Sequence, residues 1–282
     1  MAFHSEGVLP SLARDLAHQS RPPEIWVLVD NSPGTAPLRL ETLQLEGNLS
    51  VRPVRGVEGE GFGAGCNRAL QALEAAGWRG WVWLLNPDTA LPKGNEIDEL
   101  LRQLASLPAR ALVGTAVEDG EGGFEASGGW IDPGLDFRGR KLQAGQSEGS
   151  EPVAVDWLSG CSLVLRPTAH RPAARFDPSF PLYYEDMDLC LRLAGPGAPV
   201  LWLPQPRVGH RRGTGSSTSG PRRLRLSTVS YLRFLRRHCP PWVFAVRSLR
   251  LVLLTLLRLP LRPRRSLAVL GALGAVFREA HP

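Results

Sequence analysis

The chain has 282 residues, 30 of them Gly and 25 Pro, with 43% apolar and 21% charged side chains. That suits one large globular domain with a smaller appendage and excludes fibrous and wholly disordered classes. The net charge of +6 is unevenly split: residues 207 to 282 hold 16 Arg and one acid, Glu279, whereas residues 1 to 206 carry a net −9. A basic, apolar tail on an acidic body points to an anionic partner for the tail. Cys66, Cys161, Cys190 and Cys239 form no C-x-x-C pair, so neither a disulfide framework nor a zinc knuckle is expected. MAFHSEGVLP has no basic n-region and no apolar h-region, which predicts a cytoplasmic chain without a cleaved signal.

In chain order, residues 8 to 19 place Leu9, Leu12, Ala13 and Leu16 at the three-and-four spacing of a half-buried helix. EIWVLVD (24 to 30) is a β-favouring run halted by a turn signal, so Asp30 falls at a strand's C-terminal end. LSVRPV (49 to 54) predicts a strand and 63 to 77 a helix opened by glycines. WVWLL (81 to 85) reads as a fully buried strand stopped at Asn86-Pro87-Asp88, followed by a helix near 95 to 105 and a strand near 110 to 117. Alternating apolar strands and amphipathic helices predict a mainly parallel sheet covered on both faces, with its ligand at the strands' carboxyl ends. Nine glycines in 118 to 150 mark a long loop or irregular hairpin. Order resumes at 153 to 166, then a turn and helix within 176 to 195, and a last strand at 199 to 204 leading to Val208-Gly209-His210. GTGSSTSG (213 to 220) predicts a flexible loop, and everything beyond it reads as helix.

The segments VLVDNSPG, GFGAGCNRAL, WVWLLNPDTAL, DWLSGCSLVLR, FDPSFPLYYEDMDLCLRL and VLWLPQPRVGH occur in this order. Together they resemble the inverting family 2 glycosyltransferases, in particular the rhamnosyltransferase-like members that build bacterial surface polysaccharides. The resemblance covers about residues 8 to 240. It implies an α/β, Rossmann-like nucleotide-sugar-binding sheet flanked by helices, of the GT-A type, with a C-terminal helical appendage. The expected organisation is a catalytic domain over 1 to 212 (a nucleotide half to about 117 and an acceptor half from 118), the loop at 213 to 220, and a basic amphipathic helical tail over 221 to 282. Family members open with a hydrophobic strand, whereas only Met1-Ala2-Phe3-His4 precedes the first helix here, so the first strand looks truncated.

Asn86-Pro87-Asp88 occupies the place of the family's D-x-D motif. A strand-end carboxylate there suits Mg²⁺ or Mn²⁺ bridging a nucleotide's phosphates, and with Asn86 in place of a carboxylate Asp88 must carry most of the binding. The alternative is a plain turn. His210, after the last strand, resembles a further metal ligand, and imidazole favours Mn²⁺. In YYEDMDLCLRL (183 to 193) the resemblance places the catalytic base in the Glu185-Asp186 pair, with Asp186 first and Glu185 second; the competing reading is acids stabilising a helix N-terminus. Asp188 and Arg192, one helical turn apart, read as structural partners. Asp30 with Asn31 resembles the family's nucleotide contact, against an Asx-turn, and Asn67 is a candidate donor contact beside the glycine-opened helix. The glycines at 61, 63 and 65 do not fit G-x-G-x-x-G, so a dinucleotide site is rejected.

The tail segment at 242 to 262 gathers Arg247, Arg250, Arg258 and Arg262 within an arc of about 120° at about 100° per residue, opposite Leu, Val and Phe. Interrupted by Pro260, it is too short to span a membrane, as is LAVLGALGAVF (267 to 277). It reads as an interfacial element, so residues 241 to 279 are expected to meet an anionic membrane surface at the inner face of the cell membrane. Packing on the catalytic domain or on a second subunit is the alternative. Stacking aromatics are few, and no nucleic-acid partner is expected. The implied substrates are a dTDP- or UDP-sugar donor and a lipid-linked or polysaccharide acceptor. A catalytically inactive membrane-associated scaffold of the same fold is the rival function.

Overall fold

A computed structural model describes residues 1–35, 37–43, 49–132, 140–145, 149–211 and 220–279. Helix α1 (Leu9–Ala17) buries Leu9, Leu12, Ala13 and Leu16, as their spacing requires. Strands β1 (Trp26–Asp30) and β2 (Val51–Arg55) pair in parallel, Asp30 opposite Arg55. Pro53 is tolerated because β2 is an edge strand among the described residues. Helix α2 (Phe62–Ala75), strands β3 (Val82–Leu85) and β4 (Thr89–Ala90), helix α3 (Glu96–Leu104) and strand β5 (Leu112–Asp119) follow.

The Gly-rich stretch is an irregular hairpin rather than open loop. Strand β6 (Phe124–Glu125) folds back on β5, and β7 (Gly128–Gly129) pairs with β9 (Trp157–Leu158). After β8 (Val153–Ala154), β10 (Ser162–Leu165) enters the main sheet, whose order is β3-β10-β5-β11-β4. Here the sheet departs from the mainly parallel expectation. β10 is antiparallel to both β3 and β5, and β4 is antiparallel to β11; only β5–β11 and the separate β1–β2 pair are parallel. A parallel neighbour needs a crossover, typically a helix, and no α-helix lies between β5 and β10 among the described residues. Strand β11 (Val200–His210) is continuous, but its register against β5 jumps between Leu203 and Arg207, where Pro204 and Pro206 have no N–H to give the ladder.

WVWLL is not fully buried. Leu84 is, but Trp81, Val82, Trp83 and Leu85 are half-exposed. Among the described residues β1 pairs only with β2 and β3 only with β10. A cavity of about 840 Å³ opens between them, lined by Trp26, Val27, Val29, Trp81, Trp83 and Leu85. At one end Ala2 runs parallel to β1, its N–H donating to Val29 C=O (2.7 Å) and its C=O accepting from Asn31 N–H (2.8 Å).

Helix α4 (Glu185–Leu193) packs beneath the C-terminal helices α5 (Pro221–His238), α6 (Pro241–Arg258) and α7 (Pro263–Arg278). Phe234, Leu235, Cys239 and Val243 share a core with Phe180, Tyr184 and Met187. α7 buries Val269, Ala272, Leu273 and Val276 against Val229 and Leu232 of α5, each worth about 1–3 kcal/mol. The second apolar piece of the tail is therefore packed along one face, with Leu267 and Phe277 at its ends left exposed. α6 is the outward helix: Trp242, Val246, Leu249, Leu253, Leu256 and Leu257 recur at three-and-four spacing and stay exposed. α6 ends before Pro260, so Arg262 falls at the start of α7 rather than on the arginine arc. Among the described residues no helix is long and apolar enough to cross a membrane. All four cysteines are buried thiols. The stretch expected to be flexible at 213 to 220 lies, Gly220 apart, outside the described residues.

Candidate functional site

The Asn86-Pro87-Asp88 turn joins β3 to β4. Its backbone is fixed by Asn86 N–H donating to Cys161 C=O (3.0 Å) and by Thr89 Oγ1 donating to Asn86 C=O (2.7 Å). The turn is formed, and it aims Asp88 at His210: Oδ1 is 3.5 Å from Nε2. His210 ends β11, opposite Thr89. Its Nδ1 lies 3.0 Å and 3.2 Å from the two carboxylate oxygens of Glu125 on β6. Burial alone would lower the imidazole's pKa, but hydrogen bonds with Asp88, Cys161 and Glu125 push it up to about 11.

The second constellation is the N-terminus of α4. Tyr183 and Tyr184 take left-handed φ values of 64° and 68°, unusual for bulky side chains and worth about 1–3 kcal/mol of strain each. Packing holds them there. Tyr184 lies against Phe234 and Tyr231 of α5, and Arg223 sits over the Tyr183 ring and hydrogen-bonds its hydroxyl. Gly63 leaves room for the Phe176 and Glu185 side chains: a Cβ on it would lie 2.9 Å from Phe176 Cβ and 3.4 Å from Glu185 Cβ. Glu185 is buried, and its Oε2 has no hydrogen-bond partner among the described residues. Burial first, and the neighbouring Asp186 second, push its pKa up to about 8. Asp186 is half-buried and also raised by burial, yet its carboxylate accepts N–H bonds from Gly160 and Met187, both 2.8 Å. Both carboxyls are raised by burial, but the two backbone N–H bonds oppose the rise at Asp186, whereas nothing hydrogen-bonds Glu185 Oε2 among the described residues.

Asp188 and Arg192 are structural partners as expected. Asp188 is fully buried and accepts from Arg192 Nε (2.7 Å), Arg237 Nη1 (2.9 Å) and His238 Nε2 (2.9 Å), bolting α4 to α5. Burial would raise its pKa, but these donors hold it at about 2.

At the end of β1 the Asx-turn is formed: Asp30 Oδ1 accepts Ser32 N–H (2.9 Å), while Oδ2 accepts Leu38 N–H (3.0 Å) and pairs with Arg55. Asn31 is buried between Gly56 and Gly65, where an added Cβ would collide with its amide, and its Oδ1 has no partner among the described residues. Asn67 is different. Its amide donates to Phe176 C=O and accepts Phe176 N–H, both 2.9 Å, clamping that loop. The glycines of α2 make room for Asn31, Phe176 and Glu185.

One segment joins the constellations. In Ser159-Gly160-Cys161 the Gly160 N–H reaches Asp186, the Cys161 C=O fixes Asn86, and the Cys161 thiol hydrogen-bonds His210. The profile of glycosyl transferase family 2 matches residues 1–157. The chain belongs to that family. Two curated relatives, the N-acetylglucosaminyl-diphospho-decaprenol L-rhamnosyltransferases of Mycobacterium tuberculosis strains CDC 1551 / Oshkosh and ATCC 25618 / H37Rv, are each 29% identical over 204 residues, 64% of this chain. The match spans 66% of the relatives' length. Among solved structures, the mannosyltransferase PcManGT from Pyrobaculum calidifontis, in complex with GDP-Man and Mn²⁺, superposes with a TM-score of 0.53 at 15% identity, over 98% of this chain and 73% of that one. That likeness is one of fold and agrees with the GT-A architecture. For a family 2 chain, Glu125, Gly160 and Cys161 are the site residues that sequence reading missed. Glu125 lies in a Gly-rich stretch without periodicity, and Gly160 and Cys161 act partly through backbone atoms, which leave no residue-type signal.

Proposed function

We propose that the chain is an inverting glycosyltransferase that moves a sugar, rhamnose being the first choice, from a dTDP- or UDP-sugar to a lipid-linked or polysaccharide acceptor in cell-envelope glycan synthesis. The observation that carries it is the 159–161 segment, whose Gly160 N–H reaches Asp186 while its Cys161 C=O fixes the turn that carries Asp88 to His210. In this reading Asp186 takes the proton of the acceptor hydroxyl as that oxygen attacks the anomeric carbon from the face opposite the nucleotide. Glu185, kept neutral, leaves Asp186 as the pair's only anion. Asp30 and Asn31 face the nucleoside, with the partnerless Asn31 Oδ1 as the acceptor awaiting a donor.

The oxygen and imidazole donors of Asp88 and His210 fit Mn²⁺ better than Mg²⁺. Among the described residues no group of three or more His, Cys, Asp or Glu is arranged to hold an ion alone. Donor phosphates and water must therefore complete the coordination shell. A divalent ion there supplies charge neutralisation for the departing nucleoside diphosphate.

The exposed leucine stripe of α6, flanked by the exposed Arg250 and Arg258, supports peripheral attachment to anionic lipid at the cytoplasmic face, where a lipid-linked acceptor is presented. Calorimetric titration with a panel of nucleotide-sugars, with and without Mn²⁺, tests the reading. One donor binding in a Mn²⁺-dependent way, lost in Asp88→Ala, is expected. Binding without turnover supports the scaffold reading, and no binding by any donor refutes the transferase.

A further inference from the structure

Glu125 lies outside the family signature segments, yet the geometry of its contact with His210 is specific. Three strands bring the groups together. β11 ends on His210, β4 supplies the neighbouring Asp88 turn, and β6 carries Glu125 opposite Val117 of β5. The β5–β6 hairpin is rigidly built: Asp119 Oδ1 accepts the N–H groups of Glu121 (3.0 Å) and Gly123 (2.7 Å). Phe124 packs edge-on against the fully buried Trp202, anchoring the inward face of β6. Strand alternation then turns the next side chain, Glu125, to the opposite face. There its two oxygens straddle His210 Nδ1 at 3.0 Å and 3.2 Å, with both side chains largely shielded from water.

We propose that Glu125 is a positioning residue for the ion site. By accepting the Nδ1–H bond it fixes the plane of the imidazole and leaves Nε2 as the edge turned to Asp88, 3.5 Å away. A histidine that ligates a cation through one nitrogen needs its other N–H oriented by such an acceptor, and losing the acceptor weakens metal affinity by about 10- to 100-fold. The ring cannot rotate without breaking the Glu125 contact, so Nε2 is presented before an ion arrives. This inference rests on the Asp88–His210 site proposed above but assigns a role to a residue outside it.

The test compares wild type, Glu125→Ala and Glu125→Gln. Mn²⁺ binding is followed by electron paramagnetic resonance, alone and with UDP or dTDP, and the His210 ring nitrogens by ¹⁵N NMR with Mg²⁺ in place of Mn²⁺. Glu125→Ala is expected to weaken Mn²⁺ binding about 10- to 100-fold and to lose the hydrogen-bonded Nδ1–H signal. Glu125→Gln keeps an acceptor oxygen and is expected to retain that signal and recover most of the affinity. Wild-type Mn²⁺ affinity in Glu125→Ala overturns the proposal, as does a Gln variant as weak as the Ala one, since charge and not orientation would then be at stake. If Glu125→Ala does not fold, the Gln variant alone decides on the same two readouts. A wild-type protein that binds no Mn²⁺ with either nucleotide refutes the ion site itself, and the role of Glu125 falls with it.

Discussion

Replacing Glu185 by Gln is expected to stabilise the fold at neutral pH and to destabilise it slightly in acid. The carboxyl is buried, its pKa raised from 4.5 to about 8 by burial first and by Asp186 second. A group whose folded pKa is raised binds its proton more tightly when folded, so between pH 4.5 and 8 the unfolded state carries fewer protons and stability falls as pH rises. At about 1.4 kcal/mol per unit, the gap from 4.5 to neutral pH costs the folded state about 3 kcal/mol. Gln removes that pH-dependent cost but places an amide where Oε2 has no partner, at about 1–2 kcal/mol. The net gain is about 1–2 kcal/mol at pH 7, or a few degrees in Tm. It turns into a loss of about 1 kcal/mol near pH 4.5, where Glu185 is protonated in the folded state and half-protonated in the unfolded one. Urea unfolding of both proteins from pH 4.5 to 8 measures this, because titrating groups other than the coupled Asp186 cancel in the difference. Stability curves that stay parallel to within about 1 kcal/mol would refute the assignment of the proton to Glu185.

Asp186→Asn is expected to lower transfer about 10²- to 10⁴-fold while donor binding by calorimetry is retained; full turnover in this variant with loss in Glu185→Gln would reverse the two roles. Asp188→Asn strands the donors Arg192, Arg237 and His238 and is expected to cost about 3 kcal/mol at pH 7, read by urea unfolding. Because the Asp188 pKa is depressed to about 2, its contribution is present above the unfolded value of 3.8 and is lost as pH falls through 2, so the variant and wild type should converge in strong acid. Leu253→Asp with Leu257→Asp should abolish sedimentation with phosphatidylglycerol vesicles without changing Tm, since both leucines are exposed. Arg250→Glu should instead weaken binding about fivefold or more, in a salt-dependent way.

Element positions were largely legible in the sequence because periodicity and turn residues are local signals. Leu9, Leu12, Ala13 and Leu16 placed α1, and Asn86-Pro87-Asp88 stopped β3 where the structure stops it. Strand direction was not legible, since β10 reads the same whichever way it enters the sheet. The burial of WVWLL was misjudged for a related reason: an apolar run shows that a strand prefers to be covered, not that a neighbour pairs with its edge.

The site divides along the same line. Asp88, His210, Glu185 and Asp186 were readable as residue types at strand and helix ends, but their grouping depends on Gly160 and Cys161, which act partly through an N–H and a C=O that any residue has. What makes position 160 special is space: a Cβ there would lie 2.7 Å from Phe62. The same limit explains α4. Its acids looked equivalent as helix-start charges, and the fold gives each a different fate: Glu185 is buried without a partner, Asp186 is held by backbone amides, and Asp188 is locked to α5. The lock has a mechanical consequence. The helix that carries the proposed base is fastened through Arg237 and His238 to the bundle that presents the leucine stripe, so under the proposed function a lipid surface that orients α6 would also orient Asp186 toward the acceptor.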